Sequence, residues 1–276
     1  MSRFIAAMPM YDWPECRAEV DEQWLSLRDR LRAAGVDAPD RLVRHNADMP
    51  SVPGGIRDAE GNIIAPDPAT LPPDELDLYT LWRHPALLFA QACWGPMELG
   101  LARYVEVVGQ QDYSNVDGGS AMLYTSAIVA RRTADDVSAP RDGKPKFPLA
   151  DLRGKRLAYN SRDSMSGLIS LERDLASLNE DLDIFFERIE SGGHRNSIIA
   201  VAEGRADVAA IDCLTWRLAK RFESASETLS VVGWTARRKG LPFIASKNMS
   251  PQDIRLITVE LKNSTLGPTL EEDRSR

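Results

Sequence analysis

Between residues 155 and 212 the chain places serines, one histidine and one aspartate where apolar strands give way to helices. Ser161, Ser164, Met165 and Ser166 follow a strand at residues 157–159, and Leu168, Leu171, Leu175 and Leu178 then recur with helical spacing. The first N–H groups of a helix have no partner within it, and the macrodipole makes that end positive. Hydroxyls gathered there form a cradle for an anion, and Gly167 lets a ligand come close to the backbone. A second strand, expected at 184–189, leads through Ser191-Gly192-Gly193 into a helix at 194–202 whose start carries His194 and Ser197. A third strand, 208–211, ends on Asp212. A carboxylate repels a bare anion but accepts a hydrogen bond from one that carries a proton, as phosphate and phosphonate monoanions do and sulfate does not.

Each of these residues alone has an ordinary structural use. Serine, aspartate and glycine are the usual caps and turn formers, so any one serine is equally a cap, Asp212 a cap for the following helix, and His194 a surface histidine. Their joint position points to a site, because parallel strands present ligand-binding groups at their carboxyl ends. Other strand ends add candidates from elsewhere in the chain. Tyr11 and Asp12 lie at the carboxyl end of a strand at 3–8; Gln91, Cys93 and Trp94 lie at the end of one at 86–92; Tyr124 lies in a strand at 122–131. Tyr11 is equally a buried core residue, and Trp94 reads rather as packing.

The pieces LRGKRLAYNSRDSMSG, SGGHRNSI, GRADVAAID and GLPFIAS, in that order, resemble the solute-binding proteins of phosphate and phosphonate ABC transporters. The resemblance covers most of residues 85–245. It implies a type II periplasmic-binding-protein-like fold: α/β, two-lobed, with mainly parallel sheets and a hinge of two crossovers. Lobe I would be 1–128 with 234–276 and lobe II 129–233, and a small oxyanion, phosphate or a phosphonate, would be enclosed between them and draw them closed. It also assigns Ser164, Ser166 and His194 to the oxyanion, the histidine by a charge-assisted bond. Ser161, Met165, Ser197 and Asp212 would lie around it, and Tyr11, Gln91 and Tyr124 would come from the other lobe and the hinge. The implied partner is an ABC permease, with no catalysis and no cofactor. An enzyme or a sensor on the same scaffold is the alternative, with His194 and Asp212 as an acid/base pair in the enzymatic case.

Composition narrows the choice. The formal charge of -7, without a basic stripe, argues against a nucleic-acid binder. Cys16, Cys93 and Cys213 are too few and too scattered for a disulfide framework or a CxxC pair, and neither HxxxH nor HExxH occurs. Residues 1–10 lack the h-region and cleavage site of a secretory signal, and no stretch is long enough to span a membrane. The chain as written is therefore expected in the cytoplasm, or in the periplasm if a leader has been removed. Residues 44–74 are crowded with proline and glycine and read as a long loop or hairpin, and the polar residues from 263 on read as frayed.

Overall fold

A computed structural model of the chain describes residues 3–133, 139–140 and 142–263, so the expectation for the tail beyond 263 lies outside the described residues. The chain divides into two compact units, one of Met1–Ala92, Met97–Gln111 and Leu241–Arg276 and one of Cys93–Pro96 and Asp112–Gly240.

The first unit opens with β1 (Ile5–Ala7), wholly buried, and α1 (Arg17–Ala33). Val20, Trp24, Leu27 and Leu31 share the buried face of α1, and Gly35, at φ +93°, ends the helical run. The proline-rich stretch is built rather than formless. It contains the hairpin β2 (Ile56–Arg57) and β3 (Ile63–Ala65), Asp67 accepts the N–H groups of Val52 and Ala69, and His84 Nε2 lies 3.0 Å from the Pro50 carbonyl. After α2 (Leu78–Arg83) come β4 (Leu87–Gln91), then α3 (Trp94–Glu98), of which residues 94–96 count with the second unit, and β5 (Val105–Gln110). Trp24 stacks on Phe89 with ring centroids 6.0 Å apart, which fixes α1 against the sheet.

The second unit contains β6 (Leu123–Tyr124), β7 (Ser126–Arg131), α4 (Leu149–Leu152), β8 (Arg156–Tyr159), α5 (Ser170–Ser177), β9 (Glu187–Glu190), α6 (His194–Ala202), β10 (Val208–Asp212), α7 (Cys213–Phe222), β11 (Leu229–Trp234) and β12 (Arg238–Lys239). The chain then returns to the first unit with β13 (Pro242–Ser246) and α8 (Pro251–Lys262). The first sheet runs β1-β4-β13-β5 and the second β11-β7-β10-β8-β9.

Pairing is parallel where the sequence alternates strand and helix, in β1–β4 and in β10–β8–β9. It is antiparallel around β7, β11 and β13, so the sheets are mixed, not mainly parallel. The reason is topological: β7 is the first strand of its sheet and β13 returns from the second unit, so neither follows a helical crossover within its sheet, while β11, which follows β10 through α7, lies beside the reversed β7. β7, which the sequence places across the boundary near 128, pairs on both sides within the second sheet. Leu157, Leu168, Leu171, Leu175 and Val208 join Ile128 in one core, which presses α5 onto the strands.

Asp207, ahead of β10, ties the second sheet together. Its carboxylate accepts the Arg156 N–H and Nε at 2.9 and 3.0 Å, and Nη2 of Arg156 and of Arg131 at 2.8 and 3.1 Å. The Arg156 guanidinium holds the carboxyl well below the usual carboxylate range, so its contribution is present above the ordinary carboxylate pKa and lost as pH falls through the depressed one. Asp207→Ala should lower unfolding stability by about 1–3 kcal/mol at pH 7, with a smaller difference from wild type in strong acid, measured by denaturant unfolding.

Candidate functional site

Since β8 is parallel to both β9 and β10, the carboxyl ends of all three strands share one edge of the second sheet. The segments after them meet there. After β8 the chain does not enter an α-helix directly. Met165–Ile169 form a π-helical turn before α5, in which the Ser164 carbonyl accepts from both Leu168 and Ile169, at 3.2 and 3.0 Å. Wide turns of this kind are uncommon and recur at functional sites. Ser164 caps the turn, its hydroxyl oxygen accepting the Gly167 N–H at 3.0 Å, which leaves the hydroxyl proton to donate elsewhere. The Met165 N–H points to Cys93 Sγ at 3.4 Å. Ser166 is the second residue of the turn, so its N–H is one of the donors that have no acceptor inside the helical run.

Gly167 is required for a reason other than the expected one. A Cβ there would lie 1.7 Å from Asn160 Oδ1, so the space beside its Cα is filled by the Asn160 side chain and not reserved for a ligand. That Oδ1 is buried without a hydrogen-bond partner.

His194, at the first position of α6, turns its ring toward the Ser164–Ser166 turn, and its Nε2 lies 2.8 Å from Ser166 Oγ. Burial pushes the imidazole down to about 4, so the ring is neutral at pH 7 and the bond to Ser166 is not charge-assisted. Nδ1 is enclosed and lacks a partner of good geometry, although the Ala210 carbonyl is near enough to favour a proton on the ring. With its proton on Nδ1, the ring offers Nε2 as the acceptor of the Ser166 hydroxyl.

Asp212 ends β10 and caps α7, its Oδ1 accepting the N–H groups of Leu214 and Thr215 at 2.9 Å each. It lies opposite Ser126 in the β7–β10 register, and Ser126 Oγ donates to the Ser166 carbonyl at 2.9 Å, so the end of β10 runs beside the same turn. Tyr124 is buried, interacts with Ser166, and has its phenol held well above the ordinary range by desolvation. The Cys93 thiol is pushed up to about 11 by burial, which keeps it protonated and unreactive.

Of the residues expected from sequence, Ser164, Met165, Ser166, His194, Tyr124 and Asp212 thus converge in the second unit. Ser161 stands at the entry to the turn, its carbonyl accepting the Ser164 N–H at 3.2 Å. Ser197 is drawn inward, fully buried and bonded at 2.7 Å to Ser191 Oγ, which also bonds the Tyr159 and Gly193 carbonyls, so it braces the turn before α6. Tyr11 and Gln91 belong to the first unit, where both line a small cavity with Met8, Cys16 and Val20, and Gln91 Oε1 accepts the Met10 N–H at 3.2 Å. Trp94 packs as expected, its indole N–H on the Gly240 carbonyl at 2.6 Å. Cys93 and Asn160 were not singled out for the turn, yet each touches it.

Two measurements follow from this geometry. Asp212→Ala should cost about 0.5–2 kcal/mol of stability through the lost cap while Asp212→Asn retains most of it, read by thermal or denaturant unfolding. A histidine whose folded pKa is depressed contributes stability above its unfolded pKa, and this is lost as pH falls through the folded value. Unfolding stability should therefore decline between about pH 6.5 and 4, and the decline should flatten in His194→Gln.

A family model described as "ABC transporter, phosphonate, periplasmic substrate-binding protein" matches residues 101–269. No curated protein matches the sequence. Among solved structures, the fold is similar to that of PhnD1 from Prochlorococcus marinus in complex with methylphosphonate, with a TM-score of 0.59, 15% identity, and coverage of 95% of this chain and 83% of that one. It is also similar to a binding protein component of an ABC phosphonate transporter from Pseudomonas aeruginosa, with a TM-score of 0.55, 15% identity and coverage of 95% and 74%. A histidine kinase sensor domain with similarity to periplasmic binding proteins gives a TM-score of 0.52, 15% identity and coverage of 95% and 90%. The architecture is that of periplasmic binding proteins, and the matched family comprises transporter components, not enzymes. With the family's pattern running through more than half its length, this chain belongs to the periplasmic substrate-binding proteins of phosphonate ABC transporters.

Proposed function

We propose that the second unit binds a small tetrahedral oxyanion, phosphate or a phosphonate, at the Ser164–Ser166 turn and supplies it to an ABC permease from the periplasm. The observation behind this is the 2.8 Å bond that joins Ser166, at the start of one helical run, to His194, at the start of another. Two positive helix ends, the Ser166 N–H and the Ser164 hydroxyl proton are directed to one place, the donor set that an oxyanion needs. The similar fold of a protein solved with methylphosphonate supports the same ligand class. An anion at the turn favours the protonated imidazole, so His194 takes up a proton on binding. Its Nε2–H then donates, and the Ser166 hydroxyl is released toward the ligand.

Asp212 supplies selectivity in this reading. Beside the anion it accepts a hydrogen bond from a protonated oxygen, or from the ammonium group of an aminoalkylphosphonate, and it repels sulfate.

Calorimetric titration with methylphosphonate tests the reading. Ser166→Ala and His194→Ala, both folded, should each lose on the order of ten- to a hundredfold in affinity. The wild type should take up protons on binding at pH 7, and His194→Gln should not. In competition experiments wild type should prefer phosphonate to sulfate, and Asp212→Asn should lose much of that preference. Wild-type affinity and selectivity in all three positions would return these residues to capping and packing roles.

A further inference from the structure

The carbonyl of Ser166 receives two side-chain hydroxyls. Ser126 Oγ donates to it at 2.9 Å from β7, and Ser170 Oγ donates at 3.1 Å from the first turn of α5. A serine four residues along a helix commonly bonds back in this way, but a second hydroxyl from a neighbouring sheet is an additional constraint. Ser126 is itself fixed on three sides. Its N–H donates to Thr235 Oγ1 at 2.8 Å, its carbonyl accepts the Thr235 N–H at 3.1 Å, and it lies opposite Asp212 in the β7–β10 register. It is 1% exposed, so its side chain serves the turn and not the solvent.

A turn shared between the α and π patterns can tighten to an α-turn with little rearrangement, and that would rotate residue 166 about the helix axis. Something must hold it wide. We propose that Ser126 and Ser170 are positioning residues of the anion cradle: their hydroxyls, converging on the Ser166 carbonyl, keep the Met165–Ile169 turn open and so hold the Ser166 hydroxyl against His194. As a statement about ligand affinity this rests on the function proposed above, whereas as a statement about the Ser166–His194 contact it does not.

The experiment uses the full chain with 15N-labelled histidine, in wild type and in Ser126→Ala, Ser170→Ala and Ser126→Thr. The His194 Nε2 shift reports the bond from Ser166. It should move toward the value of an unbonded nitrogen in the alanine variants and stay near wild type in Ser126→Thr, which keeps a hydroxyl. Methylphosphonate titrations of Ser126→Ala should show a loss of roughly tenfold in affinity when Ser166 is present, and of less than about twofold in a Ser166→Ala background. An unchanged Nε2 shift in the folded alanine variants, or equal losses in both backgrounds, would overturn the proposal. Should Ser126→Ala not fold, Ser170→Ala carries the same readouts. If the wild type binds no methylphosphonate, the proposed ligand is wrong, and the Nε2 shift alone then decides whether the two serines position the turn.

Discussion

A hydroxyl and an imidazole nitrogen 2.8 Å apart connect the starts of two helical runs that lie 28 residues apart in sequence. That contact is possible only because β8, β9 and β10 run parallel, so that the segments leaving β8 and β9 emerge on the same edge. The supporting features act on the same point. Ser164 caps the turn, Cys93 receives its first N–H, Asn160 fills the space beside Gly167, and the Ser191–Ser197 pair braces the start of α6. Several of these groups are buried, which strengthens their hydrogen bonds and makes any missing partner costly.

Electrostatically the turn is surrounded by dipoles and hydrogen-bond donors, with His194 neutral at pH 7. Desolvation sets that state. One oxygen of Asp212 already holds the start of α7, so the carboxylate is kept in place by the helix it caps.

Much of this was legible from residue types and spacing. The leucines at 168, 171 and 175 do form the buried face expected of them, and the serine, histidine and aspartate positions do fall at ends of parallel strands. Elsewhere physical features without a local signature decided the outcome. The second strand begins later than its apolar residues suggest, at Glu187, because Phe185 packs in the core while the edge strand Glu187–Glu190 exposes most of its side chains. The π-turn has no sequence pattern, and the sulfur that accepts its first N–H comes from 72 residues away. Gly167 was recognised as a position that needs glycine, but the neighbour that imposes it is Asn160. The neutrality of His194 follows from burial, which a sequence does not display, and so does the bond of the buried Ser197 to Ser191 in the turn before α6.

The most direct measurement is a crystal structure of the protein grown with methylphosphonate. The expected result is tetrahedral density at the start of the Met165–Ile169 turn, with one oxygen within hydrogen-bond distance of the Ser166 N–H, another near the Ser164 hydroxyl and His194 Nε2 turned to the anion. Density held elsewhere in the second unit, with the Ser166–His194 bond intact and the turn unaltered, would contradict the assignment of this turn as the anion site.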